Sequence, residues 1–205
     1  MADLTAMVQA ERKSLGAYLE TLTPAQWTTQ TWCTKWNVQE LVGHLVAAAN
    51  VTAPHFFAGL IKSGFNFDTF VENDLVQYAI GTPAEVLTRF HGIVDSSRRP
   101  PGPSYIALGE ILVHGEDIRR AVGSTGDHPR EHLVAIADAY RKTGKPLNGK
   151  KRSTGVRFKA DDIDWSAGEG PEVRGPAMSL ILAMVGRNRA LDDCTGPGVD
   201  VLRGR

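Results

Sequence analysis

The chain has 205 residues, 42% of them hydrophobic and 22% charged, and its 23 Lys plus Arg balance 23 Asp plus Glu to a formal net charge of zero. That length can bury a substantial core without disulfide staples, and the apolar share excludes a disordered chain. Balanced charge argues against a nucleic-acid partner, whose affinity rests on excess Lys and Arg, and no apolar run reaches the ~20 residues that span a bilayer.

Leu4, Met7, Val8, Leu15, Tyr18, Leu19 and Leu22 recur at helical spacing, so residues 2–22 read as an amphipathic helix. Thr23-Pro24-Ala25-Gln26 carries the N-cap, first-turn proline and third-position glutamine of a short second helix. A turn-like stretch with Trp27, Trp32 and Trp36 follows. Asn37-Val38-Gln39-Glu40 then repeats the capping logic ahead of Leu41, Leu45 and Val46. Pro54 is expected to kink or interrupt that helix, because it cannot donate to the carbonyl of Asn50. Thr82-Pro83-Ala84-Glu85 starts a further helix, expected to end at Arg98-Arg99. Ser104 to Val122 is another, stopped by Gly123 where a left-handed cap belongs. A last one begins near Pro129 and ends at Gly144. Long helices with short connections favour a four-helix bundle in a mainly α chain, over residues 1–145.

Composition changes after about Gly144. Residues 142–157 are basic and glycine-containing, as in a linker or exposed loop. Val156 to Ala160, the segment around Ile163 and Trp165, and Glu172-Val173-Arg174 read as short strands, and Pro176 to Val185 as an apolar helix ending at Gly186-Arg187. Residues 146–205 are therefore expected to form a small α/β or α+β domain. Cys33 and Cys194 make no disulfide framework and point to a reducing compartment. Met1-Ala2-Asp3-Leu4 lacks the start of an export signal, so a cytoplasmic location is expected.

The chemistry concentrates in a few side chains. Glu110 and His114 lie four apart in one helix and so project from one face, ~5–6 Å apart at Cβ. His44, flanked by apolar residues, supplies a third donor. Facing helices of a bundle build metal sites from such inward side chains, and three protein ligands leave a position open, as in catalytic zinc. Spacing alone leaves a second reading open, in which His44 is a satisfied core histidine and Glu110–His114 a helix pair. His128 and His132 share the spacing, but Pro129 disfavours helical geometry for the residue before it, so a surface or capping role is expected. His55 is expected near the site or in the core rather than on a metal. Cys33 has no base around it in sequence and reads as a small buried hydrophobe.

Three runs carry a resemblance: Trp36-Asn37-Val38-Gln39-Glu40-Leu41-Val42-Gly43-His44-Leu45, then Glu110-Ile111-Leu112-Val113-His114-Gly115-Glu116-Asp117-Ile118-Arg119-Arg120, and Gly170-Pro171-Glu172-Val173-Arg174-Gly175 with Gly186-Arg187. Together they resemble the mycothiol-dependent maleylpyruvate isomerase family of DinB-like metalloproteins, over nearly the whole chain. The resemblance implies a DinB-like bundle with a small C-terminal domain, and a divalent metal, usually zinc, held by His44, Glu110 and His114. It further implies mycothiol as thiol cosubstrate, bound as thiolate and added to a small electrophile. Elimination after bond rotation gives an isomerase; departure of the adduct gives an S-transferase. Relatives that isomerise maleylpyruvate are generally longer, and the interhelical loops around Phe56 to Tyr78 and Pro100 to Pro103 are expected to shape the substrate pocket.

Both reactions develop negative charge, so a cationic clamp is expected. Arg187 is the candidate by resemblance, against an arginine that merely stabilises a helix C-terminus. Asp117 either orients an imidazole or meets the thiol's polar end, against a simple pair with Arg120. Arg120 and Trp36 are the candidate thiol contacts, against a solvated helix end and core packing respectively; Trp32 has the same two readings as Trp36. Two other functions fit the donor set: a non-catalytic metal-binding stress protein and a non-haem iron oxygenase. The expected partners are small molecules, with no nucleic acid and no membrane, in a monomer or homodimer.

Overall fold

The computed structural model describes residues 3–99, 101–145 and 147–205, so Ala2 of the expected first helix and Pro100 of the expected loop lie outside the described residues. The chain divides into two compact units, one running to Gly126 and one from Asp127 to Arg205. The first holds α1 (Leu4–Leu19), α2 (Pro24–Trp27), α3 (Val38–Asn50), α4 (Ala53–Lys62), α5 (Phe67–Ala79), α6 (Pro83–His91) and α7 (Tyr105–Ala121). Both α1 and α3 pack on α6 and α7, which closes a four-helix bundle, and α5 lies along α3. No helix among the described residues is long and apolar enough to cross a membrane.

Local chemistry sets the two helices that matter most. Asn37 Oδ1 accepts from the Glu40 N–H and Glu40 Oε2 accepts from the Asn37 N–H, each at 2.9 Å, so α3 starts at a closed capping box. Its Val38, Leu41, Val42, Leu45 and Val46 are buried. Helix α7 ends in a Schellman cap: Gly123 has φ +85°, and the Ser124 N–H reaches the Arg119 carbonyl at 2.9 Å. Pro54 does interrupt. Helix α3 stops at Asn50, and Pro54 sits in the first turn of α4 behind the N-cap Thr52.

Two expectations change here. Residues 56–78 are not an interhelical loop but most of α4 and α5. Asn66 Oδ1 caps α5 by accepting from the Thr69 N–H at 3.1 Å, and Phe70 and Leu75 are buried, whereas α4 buries no residue. Helix α6 ends at His91, not Arg99. Beyond it the buried Arg12 guanidinium donates to the carbonyls of Ile93 at 3.0 Å and Ser96 at 2.8 Å, which holds that segment out of the helix.

The second unit contains α8 (Arg130–Tyr140), α9 (Gly149–Ser153), β1 (Arg157–Ala160), β2 (Ser166–Gly168), β3 (Glu172–Gly175), α10 (Ala177–Met184), a 3-10 helix (Asn188–Asp193) and α11 (Gly198–Arg203). Sheet order is β2-β1-β3, with β1 antiparallel to β2 and parallel to β3, so Phe158 stands between Ala167 and Val173. The strand anticipated around Ile163 and Trp165 forms slightly later, at Ser166–Gly168. Helix α10 is buried along its whole length and packs on α8. That packing groups α8 with the small domain, so the units divide at Gly126 and Asp127 rather than near residue 145. The fold is mainly α, a four-helix bundle with a small α+β unit.

Candidate metal centre

Helix α3 presents His44, and one face of α7 presents Glu110 and His114. Their donor atoms converge: Glu110 Oε2 lies 2.9 Å from His44 Nε2 and 3.5 Å from His114 Nε2. Two bonds of about 2.0–2.2 Å at a tetrahedral angle put donor atoms roughly 3.3–3.6 Å apart. The three side chains therefore fit one small divalent cation with little rearrangement. The two imidazole rings meet edge to face at 5.2 Å, and the side chains of His44 and His114 are 11% exposed against 27% for Glu110, which leaves the carboxylate side the more open.

Asp117 decides how His114 is held. It is fully buried one turn along α7, and its Oδ2 lies 3.0 Å from His114 Nδ1. A carboxylate on the second ring nitrogen fixes the ring and turns Nε2 toward Glu110. Burial by itself would lower the His114 pKa, but hydrogen bonds to Asp117 and Cys33 and the charges of Glu110 and Asp117 outweigh it and raise the value to about 10. In the metal-free protein a proton on each ring nitrogen thus serves both carboxylates. A cation in place of the Nε2 proton meets the same electrostatic demand, and the two compete for that nitrogen.

The segment between α2 and α3 forms one wall. Trp36 stacks on His44 with ring centroids 4.7 Å apart and an interplanar angle of 28°, and it meets His114 edge-on at 6.4 Å. The Trp32 N–H donates to the Asp117 carbonyl at 3.2 Å, and the Arg120 guanidinium lies 5.2 Å over the Trp32 ring. Arg120 is also paired through Nε with Glu116 Oε2 at 2.9 Å. Cys33 is not the isolated hydrophobe its sequence suggested: a donor atom of each of Cys33, His114 and Asp117 falls within 4.8 Å of the others. Its position between Trp32 and Trp36, just before the His44 helix, was the signal that could have found it.

Other expected residues fall elsewhere. The expected role was surface or capping; His128 and His132 are both buried, which removes the surface half of it, because α8 starts immediately after Pro129 and carries His132 into the interior of the second unit. Neither joins a ligand cluster among the described residues. His55 Nε2 lies 2.6 Å from Asp74 Oδ1 and ties α4 to α5. Arg187 follows the Schellman cap of α10, with its N–H on the Leu182 carbonyl at 3.0 Å and Nη1 on the Val185 carbonyl at 3.4 Å. That is the helix-end geometry anticipated as the alternative for this residue.

Comparison with known proteins gives a partial family match and a shared fold. Residues 8–103 match the model described as the mycothiol maleylpyruvate isomerase N-terminal domain. No protein of curated function matches the chain. Two crystal structures of the mycothiol-dependent maleylpyruvate isomerase superimpose with a TM-score of 0.65, covering 95% of this chain and 92% of theirs. One is a histidine-to-alanine mutant at 11% identity, and the other is at 12%. Residues 8–103 thus resemble a mycothiol maleylpyruvate isomerase N-terminal domain, and the chain shares the fold of those isomerase structures.

Proposed function

We propose that the protein is a divalent-metal-dependent, mycothiol-dependent enzyme that isomerises, or transfers the thiol to, a small electrophile bearing a carboxylate. The observation that carries this reading is the single carboxylate oxygen of Glu110 shared between two imidazole nitrogens, 2.9 and 3.5 Å away. His44, Glu110 and His114 would hold the ion, with zinc the reading that suits two imidazoles and a carboxylate in an open three-ligand set. Bound there, it supplies a Lewis acid that stabilises the thiolate form of a thiol whose free pKa is ~8.5.

The chain's own residues do the rest. Asp117 holds the His114 ring through Nδ1. Trp36, stacked on His44, keeps water from that side of the imidazoles and offers an aromatic surface to the thiol or substrate. Arg120, fixed between Glu116 and Trp32, is positioned to hold polar parts of the thiol. Addition of the thiol sulfur to a conjugated double bond leaves a single bond about which the product geometry is reached. Elimination then restores the double bond and releases the thiol. Negative charge grows on the substrate during addition, and Arg187 is the cation assigned to it.

The deciding experiment offers mycothiol, bacillithiol, glutathione and cysteine to metal-replete protein with maleylpyruvate and simple electrophiles. Turnover that requires mycothiol is expected. Tight metal binding with no thiol-dependent turnover would instead make it a binding protein, and iron with oxygen uptake an oxygenase. Arg187→Met is expected to lower turnover ~100-fold with metal content unchanged; loss of metal from that variant would leave Arg187 a structural role only.

A further inference from the structure

The second unit has a feature that a thiol-dependent reaction does not use. Seven of the chain's 23 Lys plus Arg fall within residues 141–157 (Arg141, Lys142, Lys145, Lys150, Lys151, Arg152 and Arg157), and that run contains no Asp or Glu. In a chain of zero net charge this is a concentrated positive run, of which Arg152 is buried and spent on the Ala183 and Arg205 carbonyls. It is also folded. Arg141, Lys142, Lys150 and Ser153–Gly155, with residues of β1 and β2, line a cavity of about 750 Å³, within the ~300–1,000 Å³ of small-molecule pockets.

Arg141, Lys142 and Lys150 bring cations to this cavity, with Glu169 the opposing charge. Lys142 and Lys150 are solvent-exposed, while Arg141 is half-buried and steadied by Asp138 at 3.2 Å. Ala167 lines the cavity above Phe158, which is almost wholly buried. Ser153 also lines the cavity, and its hydroxyl oxygen is buried with no hydrogen-bond partner among the described residues. A buried hydroxyl without a partner is uncommon and calls for a ligand or water to satisfy it. Gly168 (φ +86°) can carry no side chain, because a Cβ there would lie 2.3 Å from the Val156 carbonyl oxygen, so this wall stays bare backbone.

We propose that this cavity binds a phosphorylated small molecule, its phosphate among Arg141, Lys142 and Lys150 and its organic part over Ala167 and Gly168. A compact multivalent anion suits a lining that carries Arg141, Lys142 and Lys150 better than a monocarboxylate does, and the bare wall at Ala167 and Gly168 leaves room for an organic part beside it. All of the lining belongs to the second unit, so the inference stands apart from the metal-centre reading.

The test titrates the full-length, metal-replete protein with inorganic phosphate and with fructose 1,6-bisphosphate, following backbone and side-chain NMR shifts. Saturable shifts centred on residues 141–169, tighter for the sugar bisphosphate and weakened at least ~10-fold in Lys142→Gln/Lys150→Gln, are expected, since screened electrostatics dominate such contacts. Both substitutions are at exposed positions and leave the fold intact. The proposal is overturned if shifts at 141–169 are absent, if they persist undiminished in the double variant, or if the protein instead binds anionic phospholipid vesicles through this surface while ignoring both soluble phosphates.

Discussion

Helices α3 and α4 are consecutive in the chain, yet they are built to opposite rules. Nine of the thirteen residues of α3 are buried, and its first turn is closed by a reciprocal cap. Helix α4 buries none of its ten, and Phe57 and Ile61 on it are 58% and 63% exposed. What holds the α4–α5 pair is a set of aromatic contacts, Phe56 with Phe70 at 5.4 Å among them, and the His55–Asp74 link. The contrast teaches where precision is needed. A side chain that must meet two others within a few tenths of an ångström belongs on a helix fixed on several sides, and His44 is on α3. The exposed face of α4 is free to carry a changed surface without disturbing that cluster, whereas α5 packs on α3 itself.

The sharpest way to break this comparison is to remove a donor. His44→Ala or His114→Ala is expected to weaken metal binding more than ~100-fold, beyond the 10–100-fold typical of losing an outer hydrogen-bond partner. The far-ultraviolet dichroism and melting of the metal-free protein should stay close to those of the parent, because other contacts hold α3 and α7. Retention of stoichiometric zinc by either variant would refute the ligand assignment. Asp117→Asn sharpens the point: the shape is kept and the charge on Nδ1 removed, so a ~10–100-fold loss of metal affinity is expected, read by competition with a chromophoric chelator.

The donor set was legible in the sequence because it rests on local rules. Glu110 and His114 share a face by helical spacing alone, and the capping box at Asn37 and Glu40 announced the helix that carries His44. The rest was not legible, for reasons that are tertiary. Cys33 reaches His114 and Asp117 only because the loop before α3 folds back so that Trp32 donates to the Asp117 carbonyl. Helix α6 stops early because Arg12, some eighty residues upstream, takes the carbonyls beyond it. Helices α4 and α5 were read as loop although Thr52 and Asn66 cap them, because Pro54 was read only as a break in the preceding helix. His128 and His132 were given a surface or capping role from Pro129, whose restriction concerns backbone and says nothing of burial.

Two glycines compare the regions directly. A Cβ on Gly43 of α3 would lie 2.7–2.8 Å from Cβ, Cα and N of Ala79, and backbone cannot step aside. Gly43→Ala is therefore expected to cost about 2 kcal/mol, the usual scale of overpacking. A Cβ on Gly59 of α4 would instead meet the Phe70 ring at 2.5 Å. A ring can rotate or shift, and the gain of about 1 kcal/mol from replacing a helical glycine by alanine works the other way. Gly59→Ala should change stability by less than ~1 kcal/mol. Equal denaturant midpoints for the two variants would remove the distinction between a fixed and an adjustable helix.

The smallest effect is expected at the surface of α4. Ile61→Ser exchanges an apolar side chain that is 63% exposed, makes no hydrogen bond demand, and lies far along the chain from any donor. Exposed substitutions of this kind shift stability within about 0.5 kcal/mol, and metal affinity should not move at all. The value of the experiment lies in its alternative outcome. A loss of 1 kcal/mol or more, measured by urea unfolding, would mean that Ile61 is covered in solution, since only burial makes a missing methylene that expensive. The α4 face would then be a structural surface with the same packing demands as α3, and the reading of α4 as the tolerant part of the bundle would fall with it.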